Sequence, residues 1–418
     1  AKKWLNLSLA SCRDWHGEYR RQIQDRLLLL EGKPLDVREK NTQEPTPALI
    51  PKRLLTVPGL SDGMTFFRRM LIQGGEIILV VWPVSNTEYR LMRFDRKTLG
   101  VRSVRVANKP IEEGPQIEQE RWYGPAVAMH HNDVFLGIPD AGILVFRANG
   151  ASECWTEKKG LACQRVQDLQ SLGDLLFAHV GSSGLDSGLM EIDPLTGESR
   201  MLLSSKSVGQ SEFDGRSVRS IQADPARGLL WVLLAETGQG SLKSDQLYQY
   251  DPRTTAFQQA GTNIPQEALL DFVQFGCSHR MRFFGNRLLI CGPRGICQFN
   301  VDTKQAAILR CKTDAGYSGQ WKFDWEFRLD TAMTMRTNVL AGENLVTHEG
   351  YRLLIFYPSS QSPVLLNVGR FDAEKGEYLV VRDLIPAPEG LYVLTSGALY
   401  RIEGLQGPPI GKDEVLVP

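Results

Sequence analysis

Five stretches of the chain share one pattern: Phe94-Asp95-Arg96-Lys97-Thr98, Ile192-Asp193-Pro194-Leu195-Thr196-Gly197, Tyr250-Asp251-Pro252-Arg253-Thr254, Phe299-Asn300-Val301-Asp302-Thr303 and Phe371-Asp372-Ala373-Glu374-Lys375-Gly376. In each, a large apolar residue runs into an acidic turn, with strand-like sequence on both sides. An Asp carboxylate can accept a hydrogen bond from backbone N–H groups two residues on, which caps a chain reversal. Pro194 and Pro252 fix φ at the second turn position. Thr and Gly then supply a second cap and a positive φ. The apolar residue ahead of each turn is expected inside the packing between repeated units. The acids are therefore read as turn residues, not as ligands or catalysts.

Working outward, short strand runs of alternating or continuous apolar residues fill the chain from about residue 52 onward, with no helical periodicity between them. Ile77 to Val84 is the longest apolar run and reads as a buried strand, well short of the roughly 20 residues of a membrane helix. Parallel α/β architecture is disfavoured because nothing helical separates the strands. Turn centres recur at steps of about 45 to 70 residues, and a four-stranded unit with its loops needs roughly 40 to 50. The longest step contains an aromatic and charged insertion, 312–337.

The pattern resembles β-propellers with a Tyr/Phe-Asp-Pro-x-Thr-Gly outer hairpin, a turn shared by several propeller families. The resemblance covers about residues 52–405. It implies an all-β ring of seven blades, six or eight being the alternatives. No Trp is followed by Asp, so the WD40 signature is missing, and paired glycines occur only at Gly74-Gly75. Thr196-Gly197 leads into Glu198-Ser199-Arg200 where quinoprotein blades carry a Trp. Pyrroloquinoline quinone is not carried over, and no cofactor is expected. The seventh unit is short of one or two strands; a strand near 54–57 is expected to complete it and remove the last sheet edge.

Residues 1–51 read differently. Ser11-Cys12-Arg13-Asp14 has capping-box form, and Trp15, Tyr19, Ile23, Leu27 and Leu30 fall on one helical face. Gly32 and Pro34 end that helix, and 38–51 reads as a proline-punctuated linker. The expected division is a helical N-terminal extension over 1–51 and a propeller over 52–418.

Charge narrows the function. Lys plus Arg and Asp plus Glu are equal at 48 each. A nucleic-acid binder shows a basic excess or stripe, so nucleic acid is not an expected partner. The seven cysteines show no C-x-x-C spacing, and most are read as small buried hydrophobes. Cys291 and Cys297 flank Gly-Pro-Arg-Gly and could face each other across a hairpin; Cys154 and Cys163 are also close in sequence. The start Ala1-Lys2-Lys3 suits a cleaved leader or a cytoplasmic chain alike, with an extracytoplasmic location as the expectation.

Three sets of residues are candidates for chemistry. His130 and His131 form the only histidine pair; either could converge with His279 near one mouth of the central channel as acid, base or metal ligand, the alternative being ordinary loop or turn hydrogen bonding. No H-x-x-x-H or H-E-x-x-H spacing supports that role. The insertion holds Tyr317, Trp321, Phe323, Trp325 and Phe327, a surface suited to sugars or proteins, or to a small core of its own. Trp122-Tyr123-Gly124-Pro125 is a weaker counterpart. Arg69, Arg219, Arg280, Arg282 and Arg336 stand near unit starts and could place guanidinium groups around the channel, suited to an anion or acidic sugar, the more usual alternative being pairing with neighbouring carboxylates. P-loop, G-x-G-x-x-G, G-x-S-x-G and EF-hand signatures are missing. The expected function is a non-catalytic binding or scaffold module for a protein or carbohydrate partner. The rival is a propeller-type hydrolase or lyase acting on a sugar or lactone.

Overall fold

The structure, a computed structural model, describes residues 49, 51–55, 65–83, 88–108, 125–138, 141–182, 186–205, 216–236, 246–261, 280–292, 295–311, 339–349, 352–357, 364–368, 371–372, 377–378, 381–395, 398–407 and 415–416. Seven antiparallel sheets stand in sequence order around a ring, a seven-bladed β-propeller. Their innermost strands are Thr65–Gln73, Ala126–His130, Val166–Leu172, Arg216–Asp224, Arg280–Phe284, Val339–Ala341 and Val381–Ala387. From each of the first six the chain steps outward through three further antiparallel strands, and from the seventh through two.

Packing explains why the strands read as continuous apolar runs. One buried cluster lies at each of the seven blade interfaces. In strand Glu76–Pro83, Ile77, Leu79 and Val81 pack against blade seven, while Ile78 and Val80 pack against blade two. Both sheet faces are covered, so the period-two alternation disappears. Each fully buried side chain of this kind contributes about 1.5–3 kcal/mol.

The residues ahead of the acidic turns sit where those turns anchor one blade to the previous one. Phe94 packs on blade seven, Ile192 on blade two, Tyr250 on blade three and Phe299 on blade four. The turns are capped from within. Asp95 Oδ1 accepts from Lys97 and Thr98 N, both at 2.9 Å. Asp193 Oδ1 accepts from Leu195 N at 2.7 Å, and Asp251 Oδ1 from Arg253 N at 2.9 Å. In the fourth turn Asn300 does this work, taking the Asp302 and Thr303 N–H groups at 3.0 Å. Asp302 instead faces outward to Asn286 and Arg227.

The fifth acidic stretch departs from the sequence reading. Blade six begins at the three-residue strand Val339–Ala341 and ends at Val364–Asn367. Phe371–Asp372 and Glu377–Tyr378 form a separate small hairpin on the way to blade seven, not that blade's outer hairpin. The short inner strand follows directly on the aromatic insertion, which concealed it from a count of strands.

Pro51–Leu55 supplies the outermost strand of blade seven, pairing with Leu399–Ile402. Leu49, inside the stretch read as linker, is buried between blades six and seven. An extended proline-punctuated segment can lie flat against apolar surface as readily as it can span a gap. The expected helix before it lies outside the described residues. Val415–Leu416 pairs with Ile72 and Gln73 on the inner edge of blade one, so this late strand enters the channel itself. No helix among the described residues is long and apolar enough to cross a membrane.

Cys291 and Cys297 do not face each other. The hairpin pairs Cys291 with Ile296 and Ile290 with Cys297. A one-residue offset puts the two thiols on opposite sheet faces: Cys297 packs toward blade four and Cys291 toward blade six.

Candidate functional site

Every blade runs from its inner to its outer strand, so all inner strands point the same way along the channel. Their ends, with the turns to the second strand and the outer acidic turns, define a first face. Their starts, with the links between blades, define a second face.

The second-face end of the channel is built by a repeated irregularity. In four blades the inner strand carries a β-bulge near its start: between Phe67 and Arg69, Val166 and Asp168, Val218 and Ser220, and Val381 and Asp383. The extra residues are Arg68, Gln167, Arg219 and Arg382. A bulge leaves one residue out of the ladder and re-aims its neighbours. The residue after it ties the blades together. Asp383 Oδ2 accepts from Met70 N of blade one at 3.0 Å, and Ser220 Oγ from Met281 N of blade five at 3.1 Å. Arg69 Nε donates to Pro125 O of blade two at 2.9 Å. Asp383 and Asp168 also accept from the N–H of the residue that follows each, Leu384 and Leu169.

Asp383 is fully buried, with Arg69 at 4.0 Å. Burial pushes its carboxyl up to about 6, against the opposing pull of Arg69, Arg282 and the two N–H donors. Arg282 belongs to blade five and Asp383 to blade seven. The charge of a blade that is not its neighbour therefore reaches this carboxyl.

The arginines expected around the channel divide accordingly. Arg69, Arg219 and Arg282 lie on inner strands, and Arg280 begins one, opposite Cys291. Arg336 lies outside the described residues. Arg382 and Asp383 escaped the sequence reading. Their signal was a second internal repeat: Val166-Gln167-Asp168-Leu169, Val218-Arg219-Ser220-Ile221 and Val381-Arg382-Asp383-Leu384.

Of the three candidate histidines, His130 and His131 are described. His130 ends the inner strand of blade two at the first face, and His131 occupies the following turn with φ at +54°. The strand Arg280–Phe284 starts at the opposite face; His279, one residue earlier, lies outside the described residues. His130 is buried, its Nδ1 lies 3.2 Å from Ser171 Oγ of blade three, and its ring packs edge-on to that of His131 at 4.2 Å. Burial, with the neighbouring His131, holds His130 below the usual imidazole value. Among the described residues no three His, Cys, Asp or Glu side chains come together as a metal-binding group. Trp321, Phe323 and Trp325 lie outside the described residues.

The first face is closed by arginines. Arg147 reaches Asp133, Glu153 and the Pro194 and Leu195 carbonyls of blade three, stacked over Phe135 and Trp155. Arg96 grips Glu389 across the junction of blades one and seven, with Tyr392 on the same carboxylate. Burial raises Glu389, but these hydrogen bonds outweigh it and leave the group below its ordinary value. Arg227 and Arg287 link blades four to five and five to six.

No family model matches the chain, and no match is found among curated proteins. Many solved structures share the architecture. The Cps50 (Swd1) β-propeller domain of Myceliophteria thermophila is 13% identical, with TM-score 0.48, covering 84% of this chain and 100% of that one. The WD40 propeller domain of Doa1 is 11% identical, with TM-score 0.46 and coverage of 84% and 96%. An auxiliary nutrient binding protein from Bacteroides thetaiotaomicron is 11% identical, with TM-score 0.41 and coverage of 79% and 90%. The chain spans 40% of an extracellular two-component-system domain from that organism, at 12% identity and TM-score 0.36. These likenesses concern the fold alone.

Proposed function

We propose that the protein is a non-catalytic binding module whose second face carries the recognition surface. One observation carries this reading. The strands flanking 109–124 end and begin at the second face, and so do those flanking 312–338. The first of these connections carries Trp122 and Tyr123 in its sequence, and the second carries Tyr317, Trp321, Phe323, Trp325 and Phe327. Aromatic side chains on connections held by a rigid scaffold give large contact area at low entropic cost. Arg280 begins an inner strand at the same face.

A protein partner is favoured over a carbohydrate by the rim. The outermost strand of blade one, Val101–Asn108, exposes Val101, Val104 and Val106 at about half of their full area. A sheet edge with exposed valines suits an added strand. An extracytoplasmic location belongs to the same reading. Pull-down followed by titration of the captured partner tests it: Trp321→Ala with Trp325→Ala should weaken binding at least about tenfold, a loss of about 1.4 kcal/mol. Unchanged affinity removes the aromatic segment from the interface.

A further inference from the structure

The second-face mouth holds donor atoms without acceptors. Among the described residues, Ser217 Oγ, Arg219 Nε and Arg382 Nε are sealed from solvent and have no hydrogen-bond partner. Arg219 and Arg382 occupy the same bulge position in blades four and seven, and Ser217 lies two residues before Arg219. Blades four and seven face each other across the ring. The acids closest in register are already engaged. Asp383 serves Met70 N, Leu384 N and Arg69, and Asp168, at the matching position of blade three, serves Leu169 N. Desolvation alone pulls the Arg382 guanidinium below the ordinary arginine value.

A guanidinium desolvated without a counter-charge is costly unless something supplies the missing oxygen atoms. Carboxylate and phosphate oxygens match its planar fork of donors. We propose that the second-face mouth of the channel is an anion site, in which Arg382 and Arg219, with Ser217, hold a carboxylate or phosphate group of a small ligand. Arg69 and Asp383 offset one another just inside and leave the bulge arginines as the uncompensated charge. The site uses none of the aromatic residues, so its fate and that of the aromatic surface are separable.

Thermal unfolding tests it. Wild type, Arg382→Gln, Arg219→Gln and Trp321→Ala are compared in chloride, inorganic phosphate and glucuronate at matched ionic strength. Wild type and Trp321→Ala should rise in Tm by about 3 °C or more with at least one of the two anions. Arg382→Gln and Arg219→Gln should need about tenfold more anion for the same rise, and in chloride Arg382→Gln should melt no lower than wild type. A response to glucuronate alone identifies a carboxylate ligand, and a response to phosphate alone identifies a phosphate ligand. Equal responses in wild type and both arginine variants would mean a general salt effect and overturn the site, as would a wild type indifferent to both anions. Should Arg382→Gln fail to fold, Ser217→Ala and Arg219→Gln carry the same comparison.

Discussion

On the first face, connections such as Gly74-Gly75, His131-Asn132 and Gly285-Asn286 are tight, and arginines close the gaps between blades. On the second face, strands begin with bulges, long connections intervene, and Ser217, Arg219 and Arg382 keep donors without acceptors among the described residues. The same strands serve both ends, so the contrast cannot come from strand propensity. It comes from how polar groups are used. A satisfied network fixes geometry, whereas a desolvated donor held open is stored capacity for a ligand. Arg96, Arg147, Arg227 and Arg287 brace the first face, and the proposed recognition belongs to the second.

That contrast is sharpened most by Asp383, which belongs to the second-face end of the channel but acts as a brace. Asp383→Ala removes the acceptor for Met70 N and leaves Arg69 buried without its counter-charge. Chemical denaturation should show a loss of about 3–5 kcal/mol. The carboxyl also makes stability pH-dependent. Its folded value of about 6 lies above the ordinary 3.8, so its contribution is present below about pH 4 and is lost as pH rises through 6. About two units correspond to roughly 3 kcal/mol. Asp383→Asn should flatten that part of the stability–pH profile; a profile unchanged by the substitution would assign the titration elsewhere.

On the first face, Arg147→Ala should cost about 2–3 kcal/mol, since it strips two carboxylates and two carbonyls of their shared donor. Arg147→Lys should recover little of this, because an ammonium cannot span the same acceptors. Smaller still is Gly197→Ala. Gly197 has φ +78°, and an added Cβ would lie 2.8 Å from the Trp155 ring, so a loss of about 1–2 kcal/mol is expected in the same assay. The smallest effect has the opposite sign. Thr255 holds the corresponding left-handed position with φ +54°, and Thr255→Gly should stabilise by about 1 kcal/mol. A destabilised variant would mean that its hydroxyl bond to Thr254 O outweighs the backbone strain.

The outer hairpins were legible because their cause is local. Asp95, Asp193 and Asp251 cap their own turns, and a cap needs only the next few residues. Register and depth were not. The Cys291–Cys297 expectation failed by a single residue of pairing, which no local preference sets. The fifth hairpin was misplaced because Val339–Ala341 is too short to announce itself. The channel arginines were partly visible as residues near unit starts, but the bulges that give Arg219 and Arg382 their setting depend on pairing across strands. The histidines looked like a site because they were rare. Chain direction, not composition, separates His130 from the start of blade five's inner strand.

The most direct test pairs the two faces in one experiment, measuring Tm and ligand affinity for Arg96→Ala and Arg147→Ala alongside Arg219→Gln and Arg382→Gln. The first pair should lower Tm and leave anion affinity within about twofold; the second should weaken affinity about tenfold without lowering Tm. First-face variants that lose the ligand while second-face variants lose only stability would contradict the assignment of holding to one end and binding to the other.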